Sequence, residues 1–231
     1  MNVFARCAIR DLLLLSLTAG SADAAGFMGL GHVFTSNMTG NVVLFGMDLG
    51  QGHLWEATRS VYVLMVFMCG VCWGAWMCHQ FTEADWPRLM VRVVGCEAFL
   101  LGLFAILWCL IPDGERSHSA YPLVTLLALA MGIQAAFMYR LNVPGVATTA
   151  VTGTLTSLVS TLVKAINTPI GAVTQDDSAN KKMAFQALVL SLYCGGAIVS
   201  GILMLWLPRM VGFFPAILVA AVLFGRRGTT A

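Results

Sequence analysis

Hydrophobic residues gather in six apolar stretches along the chain, and the charged residues fall almost entirely in the polar segments between them. A helix needs about 20 mainly apolar residues to cross about 30 Å of membrane hydrocarbon. The pattern therefore predicts six transmembrane helices, at residues 12–34, 57–78, 93–111, 121–143, 183–206 and 210–225. The sixth stretch is short, but Arg209 and Arg226 at its ends can extend toward the membrane surfaces, so we predict a thin crossing.

Two shorter apolar pieces, residues 42–46 and 155–166, each follow a Thr-Gly pair. Neither piece is long enough to cross a membrane alone. Irregular backbone at membrane depth is tolerated only where it is buried in protein or lines a water-filled cavity. We therefore predict that each piece is a half-helix or a re-entrant segment, and the pattern leaves an interfacial position open as the alternative.

The composition agrees with a membrane protein, because 58% of the residues are hydrophobic, 10% are charged and the mean hydropathy is +0.82. Such low charge excludes a disordered chain, and uninterrupted apolar stretches exclude an outer-membrane barrel. The thirteen basic and eleven acidic residues leave a net charge of +2, so no nucleic-acid partner is expected. We predict an all-α polytopic membrane helix bundle that forms one integral membrane domain over residues 1–231.

Basic residues near the ends of the stretches predict the orientation, because Lys and Arg are retained on the cytoplasmic side. With the amino terminus inside, every basic residue except Arg59, Arg116 and Arg209 lies in the cytoplasm. We therefore expect both termini, and the polar loop at residues 168–182, to face the cytoplasm of a bacterial inner membrane.

The start of the chain also imitates a cleavable signal peptide, with Arg6 and Arg10 followed by an apolar run and a small-residue site. Charge counting does not separate the two interpretations, because loss of the first span leaves every later loop on the same side. We expect residues 1–24 to be retained, since the apolar pattern continues beyond the apparent cleavage site and recurs later in the chain.

An internal repeat relates the two halves of the chain. Residues 23–25, Asp-Ala-Ala, align with residues 134–136, Gln-Ala-Ala. After an insertion at residues 144–145, the Thr-Gly pair at 39–40 aligns with the pair at 152–153. We place one copy at about residues 12–112 and the other at about 121–225.

The second and fifth spans extend the match, because each carries two small residues four positions apart, Gly70 with Gly74 and Gly196 with Ser200. This spacing lets membrane helices approach closely, so we predict helix packing at all four positions. Since each copy contains three crossings, the second copy enters the membrane from the opposite face. The sequence thus predicts a 3+3 inverted repeat, and such proteins place binding sites near the midplane, at interrupted helices.

Two sequence blocks carry a family resemblance, TAGSADAAGFMGLGHVFTSNMTGN and NVPGVATTAVTGTLTSL, with six hydrophobic spans between and after them. They resemble the YoaK-like family of bacterial membrane proteins, the domain of unknown function 1275, over residues 10–225. The resemblance implies a multi-pass inner-membrane protein with an uncleaved first helix. It implies no activity, because none is assigned to the family.

Two acidic residues fall inside predicted spans, Asp23 near the middle of the first and Glu97 only four residues into the third. Charge inside a membrane is costly and therefore points to function. For Asp23 we expect proton or cation handling, with Gln134 at the matching position of the second copy. For Glu97 a solvated helix end or an ion pair with Arg92 is an equal alternative.

Hydroxyl and amide side chains surround the two Thr-Gly pairs and are predicted to complete a ligand- or ion-binding site with Asp23 and Gln134. The candidates are Thr35, Thr39, Asn41, Thr148 and Thr152. These side chains can donate and accept hydrogen bonds. The alternative is that they only bond helices to one another.

Catalytic and metal-binding signatures are absent from the sequence, so we expect no enzyme, no cofactor and no metal. The four histidines are scattered, and the seven cysteines lie mostly in apolar stretches. Cys69 and Cys72 form a CxxC near His79, for which a soft-metal or redox site is the weaker alternative to helix packing.

The function that these features favour is a small secondary transporter or permease, with a midplane site around Asp23 for an unknown small solute or ion. The alternative is a non-transporting membrane scaffold or assembly protein. The expected partners are the lipid bilayer, the solute and a second copy of the chain in a homo-oligomer.

Overall fold

The computed structural model describes residues 4–81, 86–111, 120–141, 151–167 and 177–227. Within these ranges every regular element is helical. The elements are α1 (Phe4–Gly29), α2 (Met38–Gly50), α3 (Leu54–His79), α4 (Trp86–Leu110), α5 (Ala120–Leu141), α6 (Val151–Asn167), α7 (Asp177–Trp206) and α8 (Phe213–Arg227), with a 3₁₀ turn at Pro208–Met210 before α8.

Six of these segments are long and apolar enough to cross a membrane, which confirms the six predicted spans. They are Ile9–Gly29, Leu54–His79, Arg88–Leu110, Tyr121–Leu141, Asn180–Trp206 and Pro208–Gly225. The chain is therefore a multi-pass membrane protein with an all-helical fold.

The remaining two helices, α2 and α6, correspond to the two short apolar pieces and are longer than predicted. Residues 38–40 and 151–153 open them, so each Thr-Gly pair lies in the first turn. At 1.5 Å per residue, the 13 residues of α2 span about 20 Å, too little to cross the membrane. With 13 and 17 residues, both helices are shorter than the six spans, so each Thr-Gly pair lies at the start of a short helix.

The first predicted span ends earlier than expected, at Gly29 instead of residue 34. Gly31 and His32 both have positive φ angles, +89° and +61°, which an α-helix does not tolerate. The chain leaves the helix there and returns toward α1 before α2 begins.

Helices α1 and α5 lie at the centre of the bundle. In their most apolar windows 61% and 67% of the residues are buried, against 17% in α7. Helix α1 packs against α7 and α8, α5 packs against α3 and α4, and α4 also meets α8. The two short helices lie at the periphery, α2 against α3 and α6 against α7.

Small residues let the central helices approach their partners. A Cβ atom at Gly196 would collide with the backbone of Leu17 in α1, and one at Gly70 would come within 2.5 Å of the Leu129 carbonyl oxygen in α5. Gly74 lies against α5 as well, 3.0 Å from Ile133 by the same construction. Such close packing replaces the hydrophobic effect, which does not drive helix association inside lipid.

The fourth predicted packing residue, Ser200, uses its hydroxyl group. Its Oγ lies 2.7 Å from the Oγ of Ser21, and both side chains are buried. This hydrogen bond joins α7 to α1 on the same interface as Gly196. All four residues therefore lie at contacts between a central helix and its partner.

Candidate midplane binding site

Asp23 lies in α1, and its carboxylate accepts hydrogen bonds from residues 35–37, the segment that precedes α2. The backbone N–H groups of Thr35 and Ser36 donate to Oδ1 at 2.7 and 2.6 Å, and that of Asn37 at 3.4 Å. The Ser36 hydroxyl lies 2.6 Å from Oδ2, and the Tyr193 hydroxyl of α7 lies 2.5 Å from the same oxygen. The Thr35 hydroxyl completes the set at 3.4 Å from Oδ1.

This set of donors explains how a carboxylate that is only 3% exposed is accommodated within a membrane span. Burying a charge is costly unless hydrogen bonds replace its hydration shell. The backbone N–H groups can only donate, which suits the acceptor-only oxygens of a carboxylate. Asp23 thus ties three parts of the chain together: α1, the segment before α2, and α7.

Asn37 and Asn41 hold the start of α2. The Asn37 side chain caps the helix by accepting from the Gly40 N–H, at 3.4 Å. The Asn41 side chain is fully buried, accepts from the Phe34 N–H at 2.9 Å and donates to the Phe34 carbonyl oxygen at 2.6 Å. Asn41 therefore braces the segment that Asp23 anchors.

A cavity of about 430 Å³ is lined by residues from the first turns of both α2 and α6; we call it the midplane cavity. Its lining residues are Ser36, Asn37, Met38, Thr39, Phe67, Val151, Thr152 and Tyr193. Both Thr-Gly threonines line it, although they are separated by more than a hundred residues in the sequence. Neither threonine hydroxyl has a hydrogen-bond partner among the described residues.

The depth of the midplane cavity follows from two aromatic residues on its wall. Phe67 is the fourteenth of the 26 residues in the span Leu54–His79. Tyr193 is the fourteenth of the 27 residues in the span Asn180–Trp206. Both residues lie at the middle of their crossings, so the cavity lies near the centre of the membrane.

Asp23 itself does not line the midplane cavity. Along the span Ile9–Gly29 it lies about 21 Å from the start and about 9 Å from the end of the helix. Its carboxylate holds Ser36 and Tyr193, which do line the cavity. Asp23 is therefore a positioning residue for the wall.

Gln134 is fully buried in α5, and its Nε2 donates to the Leu15 carbonyl oxygen in α1 at 3.0 Å. It is not part of the cavity wall. The structure thus separates Gln134 from the residues around Asp23, whereas the repeat predicted one shared site. Its side chain joins the two central helices.

Glu97 lies deeper than predicted, because α4 begins at Trp86 and not at residue 93. As the twelfth residue of α4, it lies about 16 Å along the helix. The side chain is 1% exposed, and its Oε1 has no hydrogen-bond partner among the described residues. No ion pair within 4.0 Å joins it to Arg92, whose guanidinium group lies over the Phe81 ring, 4.8 Å from the centroid. The expected solvated helix end or Arg92 ion pair is therefore not found, and Glu97 also lies outside the midplane cavity.

The remaining candidates are divided. Thr35 is buried and bonded to Asp23, so it supports the wall without forming it. Thr148 and the break at residues 144–145 lie outside the described residues.

Sequence reasoning missed Tyr193 and Phe67. A signal for both was present, because each lies three residues before the first small residue of the pairs at Gly70 and Gly196. Aligning the copies through these glycines would have brought the two aromatic residues together.

Comparison with known proteins gives two matches. Residues 12–225 match the family described as "Protein of unknown function (DUF1275)". The "UPF0700 transmembrane protein YoaK" of Bacillus subtilis (strain 168) is 33% identical over 210 residues, which cover 87% of this chain and 89% of that protein. No solved structure matches the chain.

Proposed function

The chain belongs to the DUF1275 family, and we propose that it is a small secondary transporter or permease that binds a small solute or ion in the midplane cavity. One observation carries the proposal: both Thr-Gly threonines line a single cavity at the depth where Phe67 and Tyr193 cross the membrane centre. Transporters bind their substrates at this depth, between interrupted helices.

The helix contacts support the predicted inverted repeat as the framework of this transporter. If the copies are equivalent, α1 corresponds to α5, α2 to α6, α3 to α7 and α4 to α8. The contact between α1 and α7 then corresponds to the contact between α5 and α3, and both contacts are extensive. In the same way α4–α5 corresponds to α8–α1 and α2–α3 corresponds to α6–α7, and all of these contacts exist. In this arrangement the two short helices are equivalent, and their first turns bound the cavity from the two copies.

The cavity wall supports a small polar solute. It combines hydroxyl and amide groups from Ser36, Asn37, Thr39, Thr152 and Tyr193 with apolar surface, and none of the lining residues is Lys, Arg, Asp or Glu. Hydroxyl and amide groups can both donate and accept hydrogen bonds. Such a wall can bind a solute without a fixed opposite charge.

We further propose that the protein lies in the bacterial inner membrane with both termini in the cytoplasm, and that it acts without catalysis. The basic residues at the ends of the spans support this orientation. A homo-oligomer in the bilayer is compatible with the proposal, and the cavity lies within one chain.

Flux through reconstituted vesicles tests the proposed transport. Purified protein in proteoliposomes is assayed with protons, Na⁺, K⁺, chloride, glycerol and urea. For the permeant probe, Thr39→Val and Thr152→Val should each reduce flux about 2- to 13-fold, because one lost hydrogen bond to a solute corresponds to about 0.5–1.5 kcal/mol.

Two threonines outside the cavity provide matched controls. Thr58 donates to the Trp55 carbonyl oxygen at 2.7 Å, and Thr161 donates to the Ser157 carbonyl oxygen at 2.8 Å. Their valine variants should leave flux within a factor of two of the wild type. Equal flux in all four variants, or no flux of any probe, would contradict the proposal and favour the scaffold function.

A further inference from the structure

A second cavity, of about 600 Å³, lies at the end of the bundle where α1 and α7 end and α3 begins; we call it the Arg59 cavity. Unlike the midplane cavity, it is lined by charged side chains, Asp48 of α2 with Glu56 and Arg59 of α3. No residue lines both cavities. The proposed transport does not use the charged groups of the Arg59 cavity.

The guanidinium group of Arg59 is fixed in place but incompletely bonded. Its Nη1 donates to the Gly31 carbonyl oxygen at 3.2 Å. Gly31 has a φ of +89°, and a Cβ atom there would collide with the guanidinium, so only glycine fits. The Nε of Arg59 is buried and has no hydrogen-bond partner in the part of the chain that the structure describes. The Nη2 group also has no hydrogen-bond partner among the described residues, but it is not buried, so an acceptor on a ligand can reach it.

The two carboxylates of the Arg59 cavity do not supply this acceptor. Glu56 precedes Arg59 by three residues on α3, a spacing at which opposite charges on a helix often pair. Among the described residues, however, no ion pair within 4.0 Å joins Arg59 to Glu56 or Asp48. The cavity is therefore lined by one positive and two negative groups that form no ion pair with one another.

We propose that the Arg59 cavity binds a small zwitterion, with the ligand's carboxylate on Arg59 and its ammonium group facing Asp48 and Glu56. The planar guanidinium group matches a carboxylate with two parallel hydrogen bonds. The volume lies within the range of small-molecule sites. This inference is independent of transport through the midplane cavity.

The charges of the cavity disfavour simpler ligands. Two carboxylates repel an anion that carries no ammonium group, and a cation that carries no carboxylate leaves the guanidinium group of Arg59 without an acceptor. Over the described residues, no group of three His, Cys, Asp or Glu side chains is arranged to hold a metal ion, although His32 also lines the cavity. A ligand with both charges satisfies both parts of the wall.

Calorimetric titration of the purified full-length chain in detergent tests the proposal. The probes are glycine, β-alanine and 4-aminobutyrate, which differ in the separation of their charges, with acetate and methylammonium as single-charge controls. At least one zwitterion should bind 10-fold or more tightly than either control. Glu56→Gln should weaken that binding at least fivefold, and since Glu56 is exposed, the variant should keep the wild-type melting temperature.

Two further variants separate the possible roles of Arg59. Arg59→Lys keeps the charge and loses the paired donors, so it should also weaken zwitterion binding at least fivefold. Thr39→Val, in the midplane cavity, should leave it unchanged, which distinguishes this site from the transport site. The proposal is overturned if no zwitterion binds, if acetate or methylammonium binds as tightly as every zwitterion, or if Glu56→Gln has no effect; Arg59 would then serve only to cap the end of α1.

Discussion

Replacing Asp23 by alanine should lower the free energy of unfolding by more than the loss of a typical side-chain hydrogen bond in a membrane protein does. The substitution removes the acceptor of the Thr35 and Ser36 backbone N–H groups, which donate at 2.7 and 2.6 Å in a buried environment. The hydroxyls of Ser36 and Tyr193 can rotate toward other acceptors, but the backbone donors are fixed.

The expected magnitude follows from these two donors. Each buried group left without a partner costs about 1–3 kcal/mol, so the pair predicts a loss of about 2–6 kcal/mol in the free energy of unfolding. Hydrogen bonds between neutral side chains in membrane proteins average only about 0.6 kcal/mol. A loss above about 2 kcal/mol therefore identifies Asp23 as the anchor of the segment before α2.

Reversible unfolding in mixed detergent micelles, followed by tryptophan fluorescence, measures this loss. Ser16→Ala is the matched control, because Ser16 is also buried in α1 and donates only to the Leu12 carbonyl oxygen of its own helix, at 2.8 Å. The control should cost less than about 1 kcal/mol. Asp23→Asn should fall between the two, since its amide oxygen can still accept from both N–H groups.

If Asp23→Ala unfolds within about 1 kcal/mol of the Ser16→Ala control, the anchoring role is refuted. A variant that is stable but has lost flux would instead return Asp23 to the proton or cation handling that the sequence favoured.

The remaining predictions concern packing and orientation. Gly196→Ala should destabilise the protein by about 1–3 kcal/mol in the same unfolding assay, because the added Cβ would collide with the α1 backbone. Gly201→Ala is the control: a Cβ there has nothing within 4 Å, so the change should be neutral or stabilising by up to about 1 kcal/mol. Equal effects of the two substitutions would contradict the packing argument. The orientation is tested in a variant without native cysteines. Exposed Gln51 follows α2 and exposed Gln80 follows α3, at opposite ends of the α3 crossing, so an impermeant thiol reagent should label Gln51→Cys on intact cells and Gln80→Cys only after permeabilisation. The reverse pattern would invert the proposed orientation.

The sequence by itself determined the membrane class and the number of crossings. Apolar length is a direct physical requirement for crossing lipid, so six stretches were sufficient to predict six spans. The Thr-Gly pairs also indicated where α2 and α6 begin. The start of a helix depends on the residues next to it in the sequence, so it can be recognised without the tertiary structure. Four positions at helix contacts, including Gly70 and Gly196, were visible from their spacing alone.

Only the tertiary structure decided the role of Asp23. Its partner Tyr193 is 170 residues away, and no local pattern predicts which donors reach a buried carboxylate. The sequence showed that a charge in a span needs compensation, but a cation, a proton or a set of hydrogen bonds can each provide it. The folded chain supplies the hydrogen bonds, so Asp23 lies behind the cavity wall.

The depth of Glu97 and the pairing of charges were also decided by the fold. Helix α4 begins seven residues before the predicted span, at Trp86, because an apolar count misses polar residues that continue a helix. Likewise, the spacing of Glu56 and Arg59 allows an ion pair, yet Arg59 donates a hydrogen bond to the Gly31 carbonyl oxygen in the turn after α1. Spacing along one helix limits which side chains can meet, whereas the packing of neighbouring helices and turns selects the contacts that form.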